Sequence, residues 1–211
     1  LGVYRTLSSG FQRSMGISPD GQDQIANVMP YWRAAYTRSI GRNSFELGVF
    51  GLNGNVYPGR DRSFGSDHVS DFGLDSQWQY HIDSHDFTVL FTHIRENRFM
   101  GASYSNGNAT NPKDNLHSSK VGVDYLYDKT YGGLVGAFRA NGSTDFGTDP
   151  LSDGLMFHLN YLPFSKSGGP KHLPDSSLKL SLQYIMYSHF EGTSHNASDK
   201  NTLYLEAWIS F

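Results

Sequence analysis

Apolar and polar residues alternate along most of this chain. Over its last eleven positions, Leu203, Leu205, Ala207, Ile209 and Phe211 fall on one side, and Thr202, Tyr204, Glu206, Trp208 and Ser210 on the other. A period of two predicts a strand with one apolar and one polar face. The same rhythm sets Phe72, Leu74, Trp78 and Tyr80 against Asp71, Asp75, Gln77, Gln79 and His81. It sets Val121, Val123, Tyr125 and Tyr127 against Lys120, Gly122 and Asp124, and Leu178, Leu180, Leu182, Tyr184 and Met186 against Lys179, Ser181 and Gln183. Phe45, Leu47 and Val49 likewise oppose Glu46 and Gly48. Ten strands are expected, near 1–7, 30–39, 44–51, 70–80, 86–96, 119–128, 131–140, 154–163, 177–189 and 202–211. In 86–96 the facing is open, because Phe87, Val89 and Phe91 compete with Thr88, Leu90 and Ile94 for the apolar side.

The connections between these strands alternate in length. Short links are expected at Gly41-Arg42, at 82–84 and at 128–130, with 164–176 a longer member of that set. Long links are expected at 8–29, 52–69, 97–118, 141–153 and 190–201. Alternating short turns and long loops are the habit of transmembrane β-barrels, which keep their long loops on one side. Pro19, Pro58, Pro112, Pro150, Pro170 and Pro174 lie in the links, and Pro30 and Pro163 at strand ends. None interrupts a ladder that its missing N–H would break. No helix beyond a turn or two is expected.

Composition narrows the class. Mean hydropathy is −0.48, and no run approaches the 18 or so apolar residues of a membrane helix. Neither fact counts against a barrel, whose inner face is polar. The 23 glycines and 14% aromatic content suit a β-protein with many turns. A net charge of −3 gives no reason to expect nucleic acid. With no cysteine, disulfides, thiolate metal sites and a Cys-x-x-Cys-His haem attachment are excluded within this chain.

The fold expected is therefore all-β: an antiparallel up-and-down transmembrane β-barrel of about ten strands, forming one domain over 1–211. Its lumen would be lined by Arg33, Glu46, Asp75, Lys120, Asp124, Arg139, Lys179 and Glu206, an ion-paired and hydrated interior. Trp78, Tyr80, Tyr125, Tyr127, Tyr161 and Phe211 would gather at the short-turn end as an interfacial aromatic girdle. The chain opens at Leu1-Gly-Val without an initiator Met or signal peptide. It reads as the C-terminal part of a larger barrel.

Several stretches carry a family resemblance. Tyr31 through Leu52, Asn141 through Asp145, Leu159 through Phe164, Leu180 through Tyr184 and above all Asn196 through Trp208 resemble the barrel portion of bacterial outer-membrane "cytochrome c" proteins related to the fused monohaem cytochrome–porin family. A terminal Phe on the apolar row also looks like the assembly signal of outer-membrane barrels. The resemblance covers roughly 30–211. It implies a Gram-negative outer-membrane location, contact with the lipid bilayer and the outer-membrane assembly machinery, a haem c on a separate N-terminal segment, and a periplasmic cytochrome as redox partner. No haem ligand is carried over to any residue here, so electron transfer is implied only for a parent protein.

Other chemistry finds little purchase. His81 and His85 flank a turn with Asp83 and Asp86 as possible oxygen ligands for a metal, but a solvated polar turn explains them. His93, His158 and His189 read as strand or strand-end histidines. Asp61, Asp67 and Asp71 lack the spacing of a Ca²⁺-binding EF-hand. Ser181 with His158 is the one pair that adjacent strands would bring together for an outer-membrane lipase, and no motif supports it. Asn196-Ala-Ser198 matches a glycosylation sequon and reads as a loop. No enzyme is expected. The function expected is a porin-like wall or a scaffold for a redox centre supplied elsewhere. Two alternatives stay open: a small outer-membrane barrel presenting long loops for adhesion or ligand binding, and a soluble β-sandwich binding module.

Overall fold

The computed structural model of the chain describes residues 1–165 and 177–210. The expectations that fall on Pro170, Pro174 and Phe211 lie outside these residues. In chain order come β1 (Gly2–Tyr4), α1 (Ser9–Ser14), β2 (Gln24–Ile25), β3 (Met29–Ile40), β4 (Asn43–Tyr57), β5 (Asp67–Ile82), β6 (His85–Phe99), α2 (Gly101–Ser105), β7 (Lys113–Tyr127), β8 (Tyr131–Gly142), β9 (Ser152–Tyr161), β10 (Ser177–His189) and β11 (Thr202–Ser210).

The strands form one antiparallel up-and-down sheet in the order β1-β3-β4-β5-β6-β7-β8-β9-β10-β11, with β2 pairing on to β4. The all-β class and the meander agree with the sequence pattern. The count does not: eleven strands form where ten are expected. The extra one, β2, is a two-residue bridge inside the expected 8–29 loop, held by Gln24 against Tyr57 and Ile25 against Val56. Two residues carry no periodic signal. All described strands belong to this single sheet, which is not the two-sheet packing of a sandwich.

The sheet is also not closed. β1 covers only Met29–Tyr31 of β3, and β11 pairs only with β10. The direction of the strands explains why these edges do not meet. β3 and β11 both run toward the short-turn end, so joining them directly would break the antiparallel pattern. β1 has the right direction but spans three residues.

Several strands overrun their expected ends on the long-loop side. β4 continues to Tyr57, β6 to Phe99, and β7 begins at Lys113. The segments 52–57, 97–99 and 113–118 are rich in Asn and charge, so they read as loop; the hydrogen-bonding partner supplied by a long neighbour keeps them in the ladder. On the other side the turns are tight. Asp83 adopts φ 52° between β5 and β6, and Asp128 and Lys129 adopt 49° and 52° between β7 and β8, the left-handed geometry of short hairpins.

Hydrophobic burial is small. Among the described residues, Met29, Ala102, Ala109, Met156 and Ala197 are the buried hydrophobics. Most larger apolar side chains lie on one open face.

Candidate functional site: the two faces of the sheet

Paired residues in an antiparallel ladder point to the same side, so the register assigns every strand residue to a face. One face carries Arg33, Glu46, Asp75, Lys120, Asp124, Lys179 and Glu206 together. These are seven of the eight positions expected to line a lumen. Arg139 is the correction. It pairs with Ser119 and Asp153 and shares its side with Val135 and Ala137, on the apolar face. The expectation turned a charge inward because an apolar face repels one. Arg139 lies past the apolar stretch of β8, three residues from its end, where that repulsion no longer applies.

The open question in β6 is settled the same way. Phe87, Val89 and Phe91 pair with Tyr125, Val123 and Val121 on the apolar face, while Thr88, Leu90 and Ile94 join Asp124, Gly122 and Ser118 on the polar one.

The polar face holds a built network at β3–β5. The Arg33 guanidinium donates to Glu46 at 2.6 Å and to Asp75 at 2.8 and 3.2 Å, and Thr37 donates to Glu46 at 3.2 Å. Lys120, Asp124, Lys179 and Glu206 lie further round the same face without ion pairs of this kind among the described residues. Near the short turns, a cavity of about 510 Å³ spans β3 to β7 and is lined by Ser39, Ser44, Gln79, Thr88 and Asp124.

The apolar face is exposed. Leu205 is 81% accessible, Leu159 63% and Val135 56%. Along β9–β11 it carries a groove of about 550 Å³, bordered by Leu159, Leu182 and Leu205 and by Tyr161, Leu180 and Ala207.

Aromatic side chains bound this face. At the short-turn end Trp78 stacks with Tyr80 (6.3 Å between ring centroids), Phe87 meets Tyr125 (4.9 Å), and Tyr131 stacks on Tyr161 (5.4 Å). Tyr127 joins through His85 (5.1 Å), and the Trp78 indole donates to Asn43 at 2.9 Å. All the described members of the expected girdle are therefore on one face at one end, and Phe211 lies outside the described residues. Toward the long loops, Trp32 and Phe72 meet at 6.4 Å. The sequence reading did not single out this second pair. Their equivalence appears only once Trp32, Gly51 and Phe72 are seen to share a row.

The long-loop end is packed into a cap. Arg60 donates to the Pro19 carbonyl, Ser9 and Gln12, drawing the 8–25 segment over the end of β4. Asp67 accepts from the Ala102 and Ser103 amides at 2.8 and 3.1 Å and fixes α2. Asp145 accepts from the Thr110 hydroxyl and amide and from the Phe146 amide, which ties two loops together and holds its carboxyl below the usual range. The Ser63 amide does the same for Asp61.

The remaining candidates separate. His81 contacts Asp86 on the polar face, whereas His85 hydrogen-bonds Tyr125 on the apolar face at 2.7 Å, so the two imidazoles do not converge. Asp61, Asp67 and Asp71 have separate surroundings. Among the described residues no group of three His, Asp or Glu side chains is placed to hold a metal. Ser181 donates to Asn160 at 2.8 Å, not to His158. His93 bonds Ser119 and His189 bonds Asp153.

Comparison with protein-family models, with curated proteins and with solved structures returned no match to the chain. The functional reading rests on the geometry of the two faces.

Proposed function

We propose that this chain is part of the wall of an outer-membrane β-barrel, its apolar face toward lipid and its polar face toward a hydrated lumen. One observation carries the reading. The register collects seven of the eight charges singled out in the sequence on the polar face and leaves the opposite face as an exposed field rich in Leu, Val and Phe and bounded by aromatics. Soluble monomers rarely expose apolar patches larger than a few hundred Å², whereas a bilayer-facing wall needs one.

An antiparallel strand between the free edges of β3 and β11 would close the ring. This is consistent with a parent barrel larger than the described sheet. The resemblance to cytochrome–porins extends the proposal to a porin-like scaffold for electron transfer. The haem does not fit this chain's own residues: with no cysteine, it offers no thioether attachment. No step of electron transfer is assigned to it.

The test is refolding into phospholipid vesicles. The β-wall reading expects stable membrane association that survives an alkaline wash, with the short turns and the long loops cut by protease from opposite sides. A chain that stays dispersed without detergent and ignores vesicles would overturn it.

A second reading, a loop-mediated contact surface, is favoured by the ordered cap. α1, α2 and the loops around Arg60 and Asp145 all pack at one end. Deleting 8–25 would abolish attachment to a surface partner under that reading while leaving membrane insertion intact.

A further inference from the structure

The apolar columns end in cations on the long-loop side. On β6 the column Phe87, Val89, Phe91 passes through His93 to Arg95, and on β8 the column Val135, Ala137 ends at Arg139. Arg95 and Arg139 are exposed and make no ion pair or hydrogen bond among the described residues. The carboxylate nearest in register to Arg139, Asp153, is instead engaged by His189 at 3.0 Å. β7, between them, contributes His117, whose ring lies 6.0 Å from that of His93, and Lys113, whose ammonium sits 5.3 Å over the exposed Phe99.

Across these strands the outer edge of the apolar face therefore presents three cations and one carboxylate that is already engaged. Two strand spacings separate the guanidiniums, about 10 Å across the sheet. An unpaired guanidinium presents a planar fork of donors matched to phosphate oxygens. Its position just beyond an apolar band is where a lipid headgroup begins.

We propose that Arg95 and Arg139 form a headgroup-binding collar for the phosphorylated glycolipid of the outer leaflet. This rests on the barrel reading above and adds the chemistry of the lipid that the wall prefers. The acyl chains lie along Phe91, Val121 and Ala137, and the phosphates reach the two guanidiniums. His117, between them, supplies a further hydrogen-bonding ring.

The experiment uses the full chain refolded into phosphatidylcholine vesicles, with and without lipid A as the phosphorylated glycolipid. Membrane insertion is read first by alkaline wash. Lipid A retained by the purified protein is then quantified by mass spectrometry, with dephosphorylated lipid A as control. Wild type is expected to retain lipid A over its dephosphorylated form. Arg95→Gln with Arg139→Gln should lower that retention roughly thirtyfold with insertion unchanged, and Arg95→Lys with Arg139→Lys should keep most of it. Insertion without phosphate preference, or full retention by the double Gln variant, overturns the collar and leaves the barrel reading standing. Failure of wild type to insert overturns the barrel reading, and the collar falls with it.

Discussion

Arg33 on β3 and Asp75 on β5 meet at 2.8 Å across the intervening strand β4, directly over Gly48. A side chain at position 48 would occupy the space of that contact: a β-carbon there would stand 2.9 Å from the Arg33 Nη2 and run into the Asp75 carboxylate. The ion pair bridges two strands that do not touch, and it exists because the residue between them is glycine. Gly48→Val should push the pair apart and lower the unfolding midpoint in micelles by about 2–4 °C. Arg33→Ala should leave Asp75 and Glu46 facing each other unneutralised and give a comparable loss. An unchanged midpoint in both variants, followed by heat-modifiable gel mobility, would show that the bridge is ornamental.

The assignment of faces makes adjacent residues on β11 behave oppositely. Leu205 points to the apolar side with Leu159 and Leu182, and Glu206 to the polar side with Ser181. If the apolar face meets lipid as proposed, Leu205→Arg should cost roughly 2–4 kcal/mol near the bilayer midplane. Glu206→Arg should be tolerated. Fractional insertion into vesicles of graded denaturant content measures both. Equal damage from the two substitutions would mean that the faces are not what the register implies.

How much of this was legible beforehand follows from what a period of two encodes. Within a strand, alternation places Glu46 opposite Leu47 or Asp75 opposite Leu74 without any partner being known. Strand existence and the sharing of one face by seven of the eight named charges therefore come from local pattern. Between strands the sequence says nothing about register. The Trp32–Phe72 pair, the passage of Arg33 over Gly48 and the stacking of Tyr131 on Tyr161 appear only when rows are aligned. Arg139 failed for a different reason. The rule that charge avoids an apolar face holds only along its apolar stretch, and where that stretch ends on β8 was not known. The end cap was illegible because Arg60, Asp67 and Asp145 act on backbone groups 35 or more residues away, which no spacing rule reaches.

The Thr110–Asp145 clip predicts a pH-dependent loop. The Thr110 hydroxyl, then its amide, lower the Asp145 pKa below the ordinary carboxylate value. A depressed folded-state pKa contributes stability that is fully present above the unfolded value, about 4, and is lost as pH falls through the folded one. Amide exchange at Thr110 and Phe146 should be slow at neutral pH and accelerate below about pH 4, while strand amides stay protected. Asp145→Asn should show the fast exchange already at neutral pH. Protection that persists in acid would mean that the clip is held by the backbone bridge between Asp145 and Thr148 and not by the carboxylate.

On the proposed barrel reading, the charge on the polar face sets a direction for ion passage. Its strand residues include the acids Glu46, Asp67, Asp71, Asp75, Asp86, Glu96, Asp114, Asp124 and Glu206, against the bases Arg33, Arg98, Lys120 and Lys179. Some of these neutralise one another, as Arg33 does between Glu46 and Asp75 and Arg98 does beside Glu96 at 2.6 Å. The excess is nevertheless acidic, and charged linings focus counter-ions in a narrow hydrated space. If the wall encloses a conducting lumen, a planar bilayer under a potassium chloride gradient should give a reversal potential on the cation side. Asp71→Asn with Glu96→Gln should move it toward zero, because the two acids stand in register side by side on the polar face and Asp71 has a buried carboxylate oxygen with no hydrogen-bond partner among the described residues. An anion-side potential in the wild type would show that Lys120 and Lys179, which make no ion pair among the described residues, dominate the narrowest point.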